Sequence, residues 1–138
     1  MRALMARERP PKGFWDLKLS PGGLVDVEFA AQYLQIVHAS AGGPLAANTA
    51  EALSALRAAG LAPDGQVRAL EDAWRLQQDL SQLIKVALED AVEVEEEPQP
   101  FRQMLAKAGG ARDFRSLKTR LTAARTTARK AYEASVKA

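Results

Sequence analysis

Glycine and proline cut this chain into segments, and nearly every segment between them reads as a helix. Breaks fall at Pro21-Gly22-Gly23, Gly42-Gly43-Pro44, Gly60 with Pro63, Pro98 with Pro100, and Gly109-Gly110. These residues end helices, proline by removing a donor and clashing with the preceding turn, glycine by its conformational freedom. Between the breaks, apolar residues recur three and four positions apart, the helical period. Alanine, leucine, arginine, glutamate and glutamine favour helices, whereas strands want β-branched and aromatic residues, and aromatics are only 6% here. No stretch alternates cleanly with period two between hairpin turns. The expectation is an all-α helical bundle of about five helices. At 138 residues the chain fits one domain and can bury a core without disulfide or metal staples.

The segments carry their own start and stop signals. A short helix is expected over residues 1–9, ending before Pro10 and Pro11. It has few apolar positions and resembles the remnant of something longer. Residues 12–23 read as a linker or loop. A helix follows from about Leu24 to Ala39, with Glu28, Gln32 and Gln35 on one polar stripe. Leu24, Val27, Ala31, Leu34, Phe29, Tyr33 and Ile36 leave most of its remaining surface apolar, so it is expected to form the core. Asn48 and Glu51 resemble a capping box for a helix from Thr49 to about Ala59, with Gly60 supplying a left-handed terminus. Pro63-Asp64 opens a long helix that buries Val67, Leu70, Trp74, Ile84 and Leu88. Its wet side offers Arg68/Asp72, Glu71/Arg75 and Arg75/Asp79 as pairs four apart. Glu89 to Glu97 is a solvated acidic loop or helix end. A short helix runs from about Phe101 to Ala108, and Asp113 caps a last helix reaching the C-terminus. No internal repeat or low-complexity tract is evident.

Composition excludes several function classes. With no cysteine, disulfides, zinc ribbons, thiol catalysis and iron–sulfur ligation are ruled out. A single histidine excludes a multi-histidine metal site. No apolar run approaches the roughly 20 residues that span a bilayer, and the first residues lack the apolar stretch of a secretory signal. A soluble, cytoplasmic chain with no membrane partner is expected. The net charge of +2 is small for a nucleic-acid binder, but it conceals segregation. The acidic run precedes a last segment in which, from Ala111 onward, basic residues dominate. Those basic residues (Arg115, Lys118, Arg120, Arg125, Arg129, Lys130) are scattered round the helix without interleaved aromatics, so a solvated face is favoured over nucleic acid.

The most informative stretch runs from Asp16 to Phe29. A lysine, Lys18, is followed by Gly22 and Gly23 and then by a helix start, an arrangement that suits an anion on free backbone N–H groups. The P-loop pattern is absent, and a tight turn entering a buried helix explains the same residues. Asp26 and Glu28 mimic the spaced carboxylates that hold magnesium on a strand. On a helix they lie about 200° apart and cannot grip one ion. Glu28 falls on the polar stripe. Asp26 falls among apolar neighbours and needs a partner, for which an interdomain salt bridge or hydrogen bond is favoured. His38, in a last helical turn, is placed to cap carbonyls, and Trp74 reads as core. No catalytic residue and no metal ligand set emerges.

The residues Asp16, Leu17, Lys18, Gly22, Gly23, Leu24, Asp26, Val27, Glu28, Phe29, Gln32 and Tyr33 resemble a pattern of the glutamine synthetase adenylyltransferase family, D-[LIV]-K, then G-G-[LI]-x-D-[IV]-E-F and Q-Y. Asn48 to Leu53, the helix with Trp74 and Arg75, and the closing helix from Asp113 to Tyr132 are also similar. The resemblance implies an enzyme with two nucleotidyltransferase halves, each followed by a helical domain. One half transfers AMP from ATP to a tyrosine of glutamine synthetase, and the other removes it by phosphorolysis. PII signal protein and glutamine set the balance. The form of the motif is more similar to the C-terminal, adenylylating half. The family's Gly-Ser turn and paired strand aspartates are missing, so the resemblance implies a part of the enzyme without its catalytic centre or its ATP and magnesium sites.

On that resemblance residues 1–23 would be a linker and the tail of a preceding nucleotidyltransferase domain, and residues 24–138 the helical domain. Lys18, Gly22 and Gly23 would lie nearest the nucleotide or protein-substrate cleft, and Asp26 and Glu28 would orient the interdomain contact. Two rival expectations are a regulatory module that binds PII or glutamine and a stand-alone helical interaction module. The PII uridylyltransferases share a similar helical domain and are a weaker likeness.

Overall fold

The computed structural model describes residues 13–40, 42, 43, 46, 48–87 and 91–137. The helix expected over residues 1–9 lies outside them. Among the described residues five α-helices follow one another: α1 (Leu24–Ala39), α2 (Thr49–Ala58), α3 (Asp64–Ala87), α4 (Gln99–Ala108) and α5 (Phe114–Lys137). A short 3-10 helix, Ala91–Glu96, links α3 to α4. The described residues contain no strand, so the all-α expectation holds.

The local signals act as their chemistry dictates. Asn48 is extended, and its side chain accepts the Glu51 backbone N–H at 2.8 Å to start α2. That helix stops at Gly60, whose N–H reaches the Arg57 carbonyl while the Leu61 N–H reaches Leu56. Asp113 accepts the Ser116 N–H at 2.7 Å and opens α5. Ser116 donates through backbone N–H, and this bond holds the Asp113 carboxyl below the usual range.

The long helices α3 and α5 share the most extensive contact and form the spine of the bundle. The sequence reading expected α1 to be the core; α1 instead packs on one end of that spine. Its buried face does use Leu24, Val27, Ala30, Ala31 and Leu34, but Ile36 is 73% exposed. Gln35, expected on the wet stripe, is buried and accepts the Ala46 N–H at 2.6 Å, closing the connection to α2.

The core divides into two apolar clusters along the spine. One holds Val27, Ala30, Leu53, Val67, Leu70 and Tyr132, where α1 and α2 cover α3 and α5. The other holds Trp15, Leu17, Leu80, Val94, Leu105 and Leu121, where the entering loop, the 3-10 helix and α4 cover them. The expected boundary at residue 23 therefore does not separate structure from linker, because Trp15 and Leu17 are core residues. Val94 likewise anchors the acidic segment, which is not simply a solvated loop.

Ion pairs on α3 differ from the expected ones. Arg68 pairs with Asp64, one turn earlier, and Glu71 reaches across to Arg57 of α2 at 2.7 Å. None of the described helices is long and apolar enough to cross a membrane.

Candidate functional site at the loop entering the first helix

The segment 13–23 folds back on itself so that its carbonyls cap α1. Gly23 is the N-cap, is extended, and offers no side chain for the role. The Leu24 N–H instead donates to the Leu17 carbonyl at 2.8 Å and the Val25 N–H to Lys18 at 3.0 Å. Gly23 donates to Ser20 at 2.7 Å. A side chain at Gly23 would stand 2.6 Å from the Leu17 carbonyl oxygen, so this capping arrangement requires glycine.

Gly22 has a different reason to be glycine. Its φ is +78°, and an added Cβ would meet the Arg125 carbonyl oxygen at 2.1 Å. The turn thus lies against the backbone of α5. Its Gly22 N–H donates to Asp26 Oδ2 at 2.6 Å, and its carbonyl accepts from Gln77 Nε2 at 2.9 Å.

These bonds belong to a buried polar layer between the two apolar clusters. Arg125 is its hub: Nε donates to Gln77 Oε1 at 3.1 Å, Nη1 to the Phe14 carbonyl at 2.7 Å and Nη2 to the Asp16 carbonyl at 3.4 Å. The guanidinium also lies 5.0 Å from the Phe14 ring centroid. Burial lowers its pKa to about 10, against a smaller opposing pull from Asp16, so it stays protonated at neutral pH. Asp26 Oδ2 also takes a 2.9 Å ion pair from Arg129 Nη1. Burial works against the Arg129 charge, but the bonds and charges of Asp26, then Glu133, outweigh it and raise its pKa. Outside this layer, Trp15 Nε1 donates to Glu95 Oε2 at 2.7 Å and Lys118 Nζ to Glu95 Oε1 at 3.1 Å. The loop is therefore held by α3, by α5 and by the acidic segment together.

This geometry sets what the site can hold. The N–H groups of Gly22, Gly23, Leu24 and Val25 are all given to groups of the chain itself. As placed, they leave no free N–H for a phosphate, and the glycine pair forms a tight turn entering the helix. Asp26 and Glu28 do not fit a magnesium ion either: Asp26 is fully buried in its ion pair, whereas Glu28 is exposed. Within this chain Asp26 Oδ2 already has Gly22 and Arg129 as partners.

Residues 1–134 match the family model described as GlnD PII-uridylyltransferase. The chain belongs to this family. It is also similar to proteins named bifunctional glutamine synthetase adenylyltransferase/adenylyl-removing enzyme. The one from Caulobacter vibrioides is 66% identical over 99% of this chain and 14% of its own length. That from Bradyrhizobium diazoefficiens is 33% identical over 97% of this chain and 14% of its own. That from Rhizobium meliloti is 38% identical over 85% of this chain and 12% of its own. The chain thus spans about one seventh of the length of these relatives. No solved structure matches it.

Within this family member the motif residues divide in two. Asp16, Leu17, Gly22, Gly23, Leu24, Asp26 and Val27 build the loop and its anchorage. Phe29 and Tyr33 are half-buried, and Phe29 meets the Tyr132 ring edge-on at 6.3 Å. Lys18, Glu28 and Gln32 point to solvent, and their side chains have no partner among the described residues. Sequence reasoning missed Gln77, and it expected Arg125 and Arg129 on a solvated face, whereas Arg125 is buried and Arg129 is drawn inward by buried Asp26. Gln77 and Arg125 did carry a signal. Arg125 continues the buried series Leu117 and Leu121 toward Ala128 and Tyr132, and Gln77 interrupts Leu70, Ala73, Leu80 and Ile84. A charged or amide side chain on a core stripe marks a buried polar contact.

Proposed function

We propose that this chain is the helical accessory domain of an enzyme that transfers AMP from ATP to a tyrosine of glutamine synthetase and removes it by phosphorolysis in its other half. The observation that carries this reading is the 66% identity across 99% of the chain to a relative bearing both activities in its name. The partners it implies are a nucleotidyltransferase domain of the longer protein, glutamine synthetase and PII signal protein. ATP and magnesium are assigned to that other domain, in keeping with a turn whose Gly22 to Val25 N–H groups are already used and an Asp26 committed to its ion pair.

The geometry supports a specific role for the entering loop. Its backbone is fixed from inside the bundle by Arg125, Gln77 and Asp26, while Lys18 on the loop and Glu28 on α1 are exposed. Lys18 and Glu28 then contact the transferase domain, and Gly22, Gly23 and Asp26 keep them in register as internal supports. Reversing charge at both positions in the longer protein, Lys18→Glu with Glu28→Lys, is expected to lower the rate of glutamine synthetase adenylylation at least tenfold. The melting temperature of the 138-residue chain should not move. An unchanged rate overturns the contact. The 138-residue chain alone is expected to label no glutamine synthetase with AMP, and ATP-dependent labelling by it would refute its accessory role.

A further inference from the structure

An open trough of about 750 Å³ lies away from the entering loop, between α3 and α5. Small side chains line its floor, Ala69 on α3 and Ala123 and Ala124 on α5, and leave the space between the helices unfilled. Its two walls carry opposite charge. Arg112 and Arg120 stand on the α5 side beside the turn from α4, and Asp72 stands on the α3 side.

These charges are little used within the chain. Arg120 spends Nε on the Gly109 carbonyl at 2.9 Å, which fixes the guanidinium while both Nη groups have no partner among the described residues. Arg112 is 88% exposed and has only a 3.6 Å pairing with Asp113. Asp72 has no partner among the described residues, because Arg68 turns to Asp64 instead. Elsewhere on α5, the cations Lys118 and Arg129 are paired with carboxylates of this chain.

We propose that this trough is a docking groove for an acidic-edged segment of a protein partner. An apolar body on the alanine floor would bury surface on both sides, and carboxylates along one edge would meet Arg112 and Arg120. Asp72 on the opposite wall sets the orientation and works against an occupant that is anionic on every side, such as nucleic acid or an anionic membrane. Charge complementarity of this kind fixes register and partner choice more than raw affinity. The inference does not depend on the role assigned to the entering loop.

The test is fluorescence anisotropy of the 138-residue chain with a labelled helical peptide of alanine and leucine carrying glutamates along one edge. The same peptide with lysines in place of the glutamates, a single-stranded RNA and phosphatidylserine vesicles are the competing probes. The glutamate-edged peptide should bind, weakening with salt and at least tenfold in the Arg112→Gln, Arg120→Gln double variant. Ala123→Trp, at an exposed position, should block binding by filling the floor while circular dichroism shows the helices intact. Absence of binding, equal binding of the lysine-edged peptide, preference for RNA or vesicles, or full affinity in folded variants would each overturn the proposal.

Discussion

Asp26, in the first turn of α1, and Arg129, on α5, form an ion pair of 2.9 Å that spans 103 residues of sequence. The same carboxylate oxygen accepts the Gly22 N–H at 2.6 Å. One fully buried atom therefore ties the turn, the helix that follows it and the last helix to a single arrangement.

Asp26→Ala removes that atom and leaves a buried N–H without its acceptor. Breaking a buried pair costs about 3–5 kcal/mol. The low end, about 3 kcal/mol, is expected because the Arg129 side chain is 36% exposed and can return to water. Asp26→Asn keeps an acceptor for Gly22 and should cost less. Urea denaturation of both variants checks the order, and a loss below about 1 kcal/mol for alanine would contradict the structural role.

Three glycines should answer differently to alanine. At Gly22 the positive φ costs about 1–2 kcal/mol, and the collision with the Arg125 carbonyl adds to it, so the total should exceed about 3 kcal/mol. At Gly60, with φ +67° and nothing within 4 Å, only the conformational cost of about 1 kcal/mol remains. Gly65 lies in α3 with open space around it, and alanine there should gain about 0.5–1 kcal/mol. Thermal melts of the three variants test the ranking.

Arg125→Lys keeps the charge and loses the fork. An ammonium cannot reproduce three donors aimed at Gln77, Phe14 and Asp16. The entering loop should loosen before the bundle does. Amide exchange at Leu24 and Val25, whose N–H groups donate to loop carbonyls, is expected to speed up while that of Leu70 and Leu121 stays slow. Uniform acceleration across all four would show that Arg125 supports global stability and not the loop in particular.

Glu95 gives the fold a dependence on acid. Burial works against its charge, but hydrogen bonds from Trp15 and Lys118 outweigh this and hold its pKa below 4.5. For a depressed carboxylate the unfolded chain binds the proton more readily. The stabilisation is thus present above pH 4.5 and is lost as pH falls through the folded value. In a Trp74→Phe background, Trp15 emission should change over that acid range, and Glu95→Gln should flatten the change. An acid transition that Glu95→Gln leaves untouched would assign it to other carboxylates.

The helical segments were legible in the sequence because their signals are local. Asn48, Gly60 and Asp113 act on backbone groups within a few residues, so the limits of α1 at Leu24 and Ala39 and the cap of α2 stand where the sequence puts them. The glycine pair was legible as a turn, but its two separate causes were not, since one of them is the backbone of a helix about a hundred residues away.

What only the tertiary structure decided is which residues of similar character face inward. Arg125 and Lys130 look alike in the sequence, yet one is buried on three acceptors and the other is exposed. Ile36 looks like Leu34 and lies outside. Helical periodicity names faces but not their neighbours, and a face becomes core only when another element covers it. The sequence by itself determined an all-α chain, its breaks and its family likeness. Packing decided that segment 13–23 is part of the bundle, because its carbonyls are the acceptors that a buried guanidinium requires.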